Sequence, residues 1–339
     1  MRFYYHAPMR THTLAIAATL LSVAAFSAFG ETSDWKSLNA QSIASYRKGD
    51  LDAAIASGMK AIDAAAAALG PADRNVATLA SNVARMCDAA LRRPEAEALY
   101  ARALAIREKS LGADHVEVAS ALNNLAGVLR DEGKLAEALP LYIRALAIRE
   151  KALGPESVDV AASLNNLAST YRALARYDEA EPLLVRSLQI REKALGPESP
   201  EVATSLNNLA ALHDARGDLE GAEPLYRLSL KIRERLDPQS LETAAVLNNL
   251  GELYIAQHKE DRAVVVLHRA NEIRAKSLPP KHPDLLATRH DLWAVHMTRG
   301  EFALAEQFAD EGQIGMTEDQ RRKLAIPMPS PGMSPTRLK

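Results

Sequence analysis

The densest group of side chains able to bind a metal or move a proton is His290, Asp291 and His296. A spacing of six places the two histidines on different faces of a helix, so no metal centre is expected there. The acidic pair Glu179 and Glu181 falls on an outer surface with no pocket implied. Cys87 is the single cysteine; it rules out an internal disulfide or a cysteine metal site and reads as a small core residue. A glycine-rich phosphate loop, a His-Glu-x-x-His pair and a serine elbow are all missing from the sequence. The chain is therefore expected to be non-catalytic and to carry no cofactor and no metal.

A different polar pattern stands out. Leu-Asn-Asn-Leu returns at Leu122–Leu125, Leu164–Leu167, Leu206–Leu209 and Leu247–Leu250, at intervals of 42, 42 and 41 residues. Each amide offers one acceptor and two donors without charge. A ladder of them suits the backbone of an extended peptide, or bonds that tie neighbouring repeats together. Adjacent residues on a helix point about 100° apart, so one member of each pair can do each job. Asparagine is a mediocre helix former, and its recurrence asks for such a reason.

The elements that carry these amides repeat with them. From Leu122, Leu125, Ala126 and Leu129 the i, i+3, i+4, i+7 spacing predicts a first helix ending near Gly133. A second helix opens near Leu135, with Ala138, Tyr142, Ala145 and Leu146 on its inner face. Tyr100, Tyr142 and Tyr226 are equivalent and read as packing. Small residues recur where the helices cross: Ala126, Ala168, Ala210 and Gly251 on the first, Ala138, Ala180, Ala222 and Ala263 on the second. Ser157, Ser199 and Ser240 stand where a first helix needs its N-cap. Gly154 and Gly196, each followed by proline, close the second helix with an expected left-handed cap. Pro140, Pro182 and Pro224 lie inside second helices and predict a mild repeated kink. The runs Arg107–Lys109, Arg149–Lys151 and Arg191–Lys193 sit near second-helix C-termini, where cations suit the helix dipole, and are expected on a solvated outer face.

This small and large pattern resembles the tetratricopeptide repeat. Leu-Asn-Asn-Leu-Ala followed by Ala-Leu-x-Ile-Arg-Glu-Lys-x-Leu-Gly resembles the 42-residue subtype of kinesin light chains. The resemblance implies an all-α fold, a right-handed α-solenoid of about seven stacked antiparallel helix pairs. Gly133 and its equivalents Gly49, Leu91, Ala175, Gly217, His258 and Gly300 then mark the inter-helix turns of seven repeats between Trp35 and Gly312. The end repeats depart from the pattern at Gln41 and Ser42 and at Arg289, His290 and Asp291, and are expected to act as polar caps.

The resemblance also implies that first helices line a concave groove holding a peptide or protein partner. By position the contacts fall on Ser81, Asn82, Asn123, Asn124, Asn165, Asn166, Asn207, Asn208, Asn248 and Asn249, and on His290 with Asp291. Groove positions that vary between repeats are Arg85, Gly127, Ser169, Ala211 and Glu252, and a turn further on Asp88, Arg130, Arg172, Asp214 and Ile255. Arg85, Arg130 and Arg172 suit an acidic peptide, unless each pairs with a neighbouring acid, as Arg130 can with Asp131 or Asp88. The expected function is an interaction scaffold of monomeric or weakly oligomeric state. The alternative is an assembly protein that self-associates through the surface of its repeats.

Of 339 residues, 47% are hydrophobic and only 5% aromatic, which favours close helix packing over a bulky β core. The formal charge is −2, and taking away Arg2 and Arg10 with the first 30 residues leaves −4. Nucleic acid is thus not an expected partner. Arg2 and Arg10 precede an uncharged run from Leu14 to Phe29 ending Ala28-Phe29-Gly30, the pattern of an export signal. The expected divisions are a signal at residues 1–30, the repeats at 31–316 and a proline-rich disordered tail at 317–339. The mature chain would have no membrane span and would be periplasmic or secreted, an uncleaved N-terminal anchor being the alternative.

Overall fold

A computed structural model describes residues 34–309; the proposed signal segment and the proline-rich tail lie outside the described residues. Among these, the regular structure is entirely helical. The chain divides into two compact units, one ending at Leu174 and the other beginning at Ala175.

The first unit contains α1 (Asp34–Arg47), α2 (Leu51–Leu69), α3 (Arg74–Ala89), α4 (Arg93–Leu111), α5 (Val116–Asp131), α6 (Leu135–Leu153) and α7 (Val158–Ala173). Each helix packs against the next in sequence, and the short connections make neighbours antiparallel. The second unit contains α8 (Tyr177–Leu195), α9 (Pro200–Arg216), α10 (Leu219–Leu236), α11 (Leu241–Ala256), α12 (Glu260–Ser277), α13 (Pro283–Thr298) and α14 (Phe302–Ala305), followed by a 3-10 turn at Glu306–Phe308. Its helices stack in the same sequential way.

The core follows the expected stripes. Leu122, Leu125, Ala126 and Leu129 are all buried, as are Tyr100, Tyr142 and Tyr226. Ala126, Ala168 and Ala210 and their second-helix counterparts Ala138, Ala180, Ala222 and Ala263 are fully buried. At Gly251 a Cβ would stand 2.5 Å from Leu267, so the α11–α12 crossing is closer than alanine permits. On α6 the stripe continues through Ile148, which is buried, rather than Leu146, which is half-buried, because residues 142, 145 and 148 follow the line of contact around the helix. Trp293 fills the C-terminal junction with Met297 and Ala305, against Phe302 and Phe308.

All seven expected inter-helix turns have positive φ, including Leu91 (61°), Ala175 (56°) and His258 (55°). A side chain there costs about 1–2 kcal/mol of backbone strain, which glycine avoids at the other four. The glycines that close the second helices differ from expectation. Gly154 and Gly196 combine φ of 83° with ψ of 154° and 157°, outside the left-handed helical region and in one that glycine alone occupies readily. The serine caps form as expected: Ser157, Ser199 and Ser240 each accept the backbone N–H of the third residue on. Asp73, His115 and His282 take the equivalent place on α3, α5 and α13. The two histidines cap through Nδ1, each accepting an N–H at 3.2 Å. Helices α6, α8 and α10 run on through Pro140, Pro182 and Pro224, whose exposed positions leave the freed carbonyls open to water.

Ser42, expected on a polar cap, is buried instead; its hydroxyl donates to the Ala54 carbonyl at 2.7 Å. A larger correction concerns the arginines of the Arg-Glu-Lys runs, which turn inward. Arg149 on α6 donates to the Asp159 carbonyl at 3.2 Å and to Ser163 Oγ at 2.8 Å, both on α7. Arg191 on α8 repeats this toward α9, reaching the Glu201 carbonyl at 3.0 Å and Ser205 Oγ at 2.8 Å. Arg274 on α12 reaches the Asp284 carbonyl at 2.9 Å and Thr288 on α13. A long side chain near the end of a second helix can thus bridge to the first turns of the next helix, where backbone carbonyls and a hydroxyl supply acceptors. Burial lowers the pKa of Arg107, Arg149, Arg191, Arg233 and Arg274 alike.

Removing one of these forks should be costly. Arg191→Ala is expected to lower unfolding free energy by about 2–3 kcal/mol, with Arg191→Lys recovering only part, because the lysine Nζ lies one bond nearer its Cα than the Arg191 Nη1 that makes both bonds. Urea titration followed by circular dichroism reads both; an Arg191→Ala midpoint equal to that of the parent would contradict the inward reading.

Candidate functional site

The first helices present the candidate residues, and the asparagine pairs divide as the 100° turn between neighbours requires. Asn123, Asn165, Asn207 and Asn248 are buried, at 7%, 4%, 2% and 5% exposure. Asn123 Nδ2 donates to the Ala119 carbonyl at 3.2 Å and to Ser163 Oγ at 3.5 Å, joining the group held by Arg149. Asn248 Oδ1 accepts from Arg274 at 2.9 Å and from Thr288 at 2.7 Å. These first members bind the repeats to one another.

The second members reach the surface. Asn124 is exposed, and Asn166, Asn208 and Asn249 are half-buried. In the second unit Asn249 Nδ2 donates to Asn207 Oδ1 at 3.0 Å, so its amide also links α11 to α9. Asn82 accepts from Arg85 at 3.1 Å on the same helix.

The first unit presents the expected arginines differently from one another. Arg85 is held by Asn82. Arg130 is tied to Asp131 Oδ1 through Nε at 3.2 Å and Nη2 at 3.1 Å, and Asp88 also acts on it. Arg172, on α7, is half-buried. Between them, at the position that carries Arg85 on α3 and Ser169 on α7, α5 has Gly127. A Cβ built there would meet only the Tyr142 hydroxyl, at 3.7 Å. Tyr142 itself is buried, as its expected packing role requires.

The second unit is acidic at the same level. Glu252 Oε1 accepts from Asn248 Nδ2 at 2.6 Å. Burial, then the neighbouring Asp214 carboxylate, push the Glu252 carboxyl up to about 7, against the opposing effects of Arg274 and the Asn248 hydrogen bond.

The three C-terminal candidates separate. His290 stacks on Trp293 with centroids 5.8 Å apart. His296 is buried, with Nδ1 2.7 Å from Glu301 Oε2 and Nε2 3.1 Å from Nε2 of His268. Phe308 lies parallel to the His296 ring at 5.9 Å. Among the described residues no group of three potential ligands could hold a metal, and no helix is long and apolar enough to cross a membrane.

The tetratricopeptide repeat model matches residues 37–109, 92–151, 117–193 and 159–235, and a second model of the same description matches 243–284. A search of curated proteins finds no match. Among solved structures, BtubC (BKLC) from P. vanneervenii is 29% identical, with a TM-score of 0.53 over 72% of this chain and 96% of that one. A putative kinesin light chain from Podosopora anserina with nearly identical TPR-like repeats is 25% identical, at a TM-score of 0.49 over 62% of this chain and 96% of that one. The apo form of RapI shares the fold at 16% identity, with a TM-score of 0.63 over 85% of this chain and 97% of its own.

The raised Glu252 pKa has a definite sign. The folded state holds this proton more tightly than the unfolded chain, so its contribution is complete below about 4.5 and is lost as pH rises through about 7. Glu252→Gln should flatten this decline and leave the variant more stable than the parent at pH 7.5, by about 1–2 kcal/mol. Thermal melts of both proteins from pH 4.5 to 8 check it, and parallel curves would refute it.

Proposed function

Because this chain belongs to the tetratricopeptide repeat family, we propose that it is a non-catalytic interaction scaffold that holds a peptide segment of a protein partner on its first-helix face. The observation that carries the reading is the division of the asparagine pairs. Burial in packing accounts for Asn123 and Asn165. It does not account for Asn124 and Asn166, which stand at the same position of neighbouring helices α5 and α7 and present their amides at the surface. Two such amides one repeat apart can bond successive peptide groups of an extended chain, and rigid helices keep the ordering cost on this side low.

We place this scaffold outside the cytoplasm. What supports that is the sequence of residues 1–30, with Arg2 and Arg10 ahead of the uncharged run and Ala28 and Gly30 at the cleavage positions. Intact-mass analysis of the protein recovered from its native host should give an N-terminus at Glu31; a chain retaining Met1 in the membrane fraction would favour the anchor instead.

The groove reading is tested by affinity capture from that same compartment. The double variant Asn124→Ala, Asn166→Ala should keep the parent's melting midpoint and lose its captured partner. Asn123→Ala should instead destabilise the fold by about 1 kcal/mol or more. Equal capture by the parent and the double variant would remove these amides from the binding surface.

A further inference from the structure

The C-terminal turn of the second unit is fastened through two histidines. His268 of α12 and His296 of α13 bring their Nε2 atoms to 3.1 Å from one another. His296 is 2% exposed, and its other ring nitrogen lies 2.7 Å from Glu301 Oε2. Glu301 stands at the N-cap position of α14, where its carbonyl accepts the backbone N–H groups of Leu304 and Ala305 at 3.0 Å each. Phe308, at the end of the 3-10 turn, packs on both rings, edge-on to His268 at 5.3 Å and parallel to His296 at 5.9 Å. The same segment closes over Trp293 and Met297 through Phe302, Phe308 and Ala309.

One arrangement of protons satisfies both histidine bonds. The Glu301 carboxyl is held below the usual range, first by the His296 hydrogen bond and, against desolvation, by Arg299. It is therefore ionised and accepts the Nδ1–H of His296. His296 Nε2 then offers a lone pair and accepts the Nε2–H of His268. A first added proton can enter at His268 Nδ1 and leave both bonds in place. A second must go to His296 Nε2, which would set two N–H groups head to head and two cations side by side.

The surrounding charges do not offset that second cation. Glu272 on α12 and Glu301 are the carboxylates acting on His268, and α11, packed against α12, contributes no charge to it among the described residues. Arg299, bonded to Glu301 at 2.9 Å and paired with Asp261 of α12, already takes up part of the Glu301 charge. Burial, then His296, hold the His268 pKa below its ordinary value of 6.5 against the pull of both carboxylates.

We propose that the His268–His296 pair is an acid-sensitive latch, which near neutral pH fastens α14 and the following turn to α12 and α13 and which double protonation releases. The sign follows from the proton counts. A closed pair holds at most one added proton and an open pair holds two, so the latch contributes fully above about pH 6.5 and is lost as pH falls. Between pH 6 and 5 the ratio of open to closed should rise about tenfold or more, since opening takes up one proton or more. Opening uncovers Trp293 and Met297, so an apolar surface appears in acid at the end of the last repeat. The inference stands apart from the groove reading and uses none of its asparagines.

The test is hydrogen exchange of the full chain from pH 7 to 5, corrected for the intrinsic pH dependence of exchange. The amides of Leu304 and Ala305 report the latch, and those of α11 report global opening. In the parent, protection of the two latch amides should fall about tenfold or more between pH 6 and 5 while α11 stays protected. His268→Gln offers His296 an N–H or, with the amide turned over, an oxygen for the protonated ring. It should melt with the parent at pH 8 and lose the pH response. His290→Gln removes the histidine that stacks on Trp293 and should keep the response. Phe308→Ala frees the turn without touching a titratable group; its latch amides should exchange at pH 7 as fast as the parent's do at pH 5, and respond no further. The latch is overturned if the parent's two amides are unprotected at pH 7, if their protection does not fall in acid, or if α11 loses protection in step with them. It is equally overturned if His268→Gln or Phe308→Ala responds as the parent does, or if His290→Gln abolishes the response.

Discussion

Close approach of helices through alanine is the constraint on which the other features depend. Ala126, Ala168 and Ala210 and their partners Ala138, Ala180 and Ala222 have no exposed surface, and Gly251 carries the same demand to its limit. Helices this close leave room for few large side chains between them, so the apolar area of each repeat is modest. Each repeat must therefore bury its face against a neighbour, and the chain becomes a stack. Polar contacts between neighbours then set the order and register that an alanine seam by itself specifies weakly.

The arginine forks supply that register. Arg149, Arg191 and Arg274 each reach the backbone carbonyl ten residues on and the hydroxyl fourteen residues on. Such a bond is geometrically selective, since a slip of one residue would offer a different side chain at the hydroxyl position. The buried asparagines join the same networks, as Asn123 does at Ser163 and Asn248 at Thr288. The two units differ in charge at the corresponding first-helix positions: the first carries Arg85, Arg130 and Arg172, and the second Asp214 and Glu252.

Much of the local structure was legible beforehand because it is governed by interactions within a few residues. The serine caps, the helix periods and the seven turn positions all depend on short-range geometry, and each is found where the spacing placed it. His115 and His282 as caps were missed because imidazole rarely serves there, although Nδ1 offers the needed acceptor. The glycine closures were expected in the left-handed helical region; Gly154 and Gly196 turn instead with extended ψ, which glycine alone occupies readily.

The repeat period, the helical class and the division of each repeat into two helices follow from the order of residues, because apolar spacing and capping chemistry act along the chain. Which of two adjacent asparagines is buried, and whether a terminal arginine faces water or the next helix, depend on what a neighbouring helix places opposite. Asn123 and Asn124 are chemically identical, and only the position of α7 against α5 separates their roles. Arg149 has the same local setting as a solvated cation would have, and the carbonyl of Asp159 decides otherwise. Contacts between helices arise from the rotation and offset of whole elements, which no window of sequence shorter than a repeat contains.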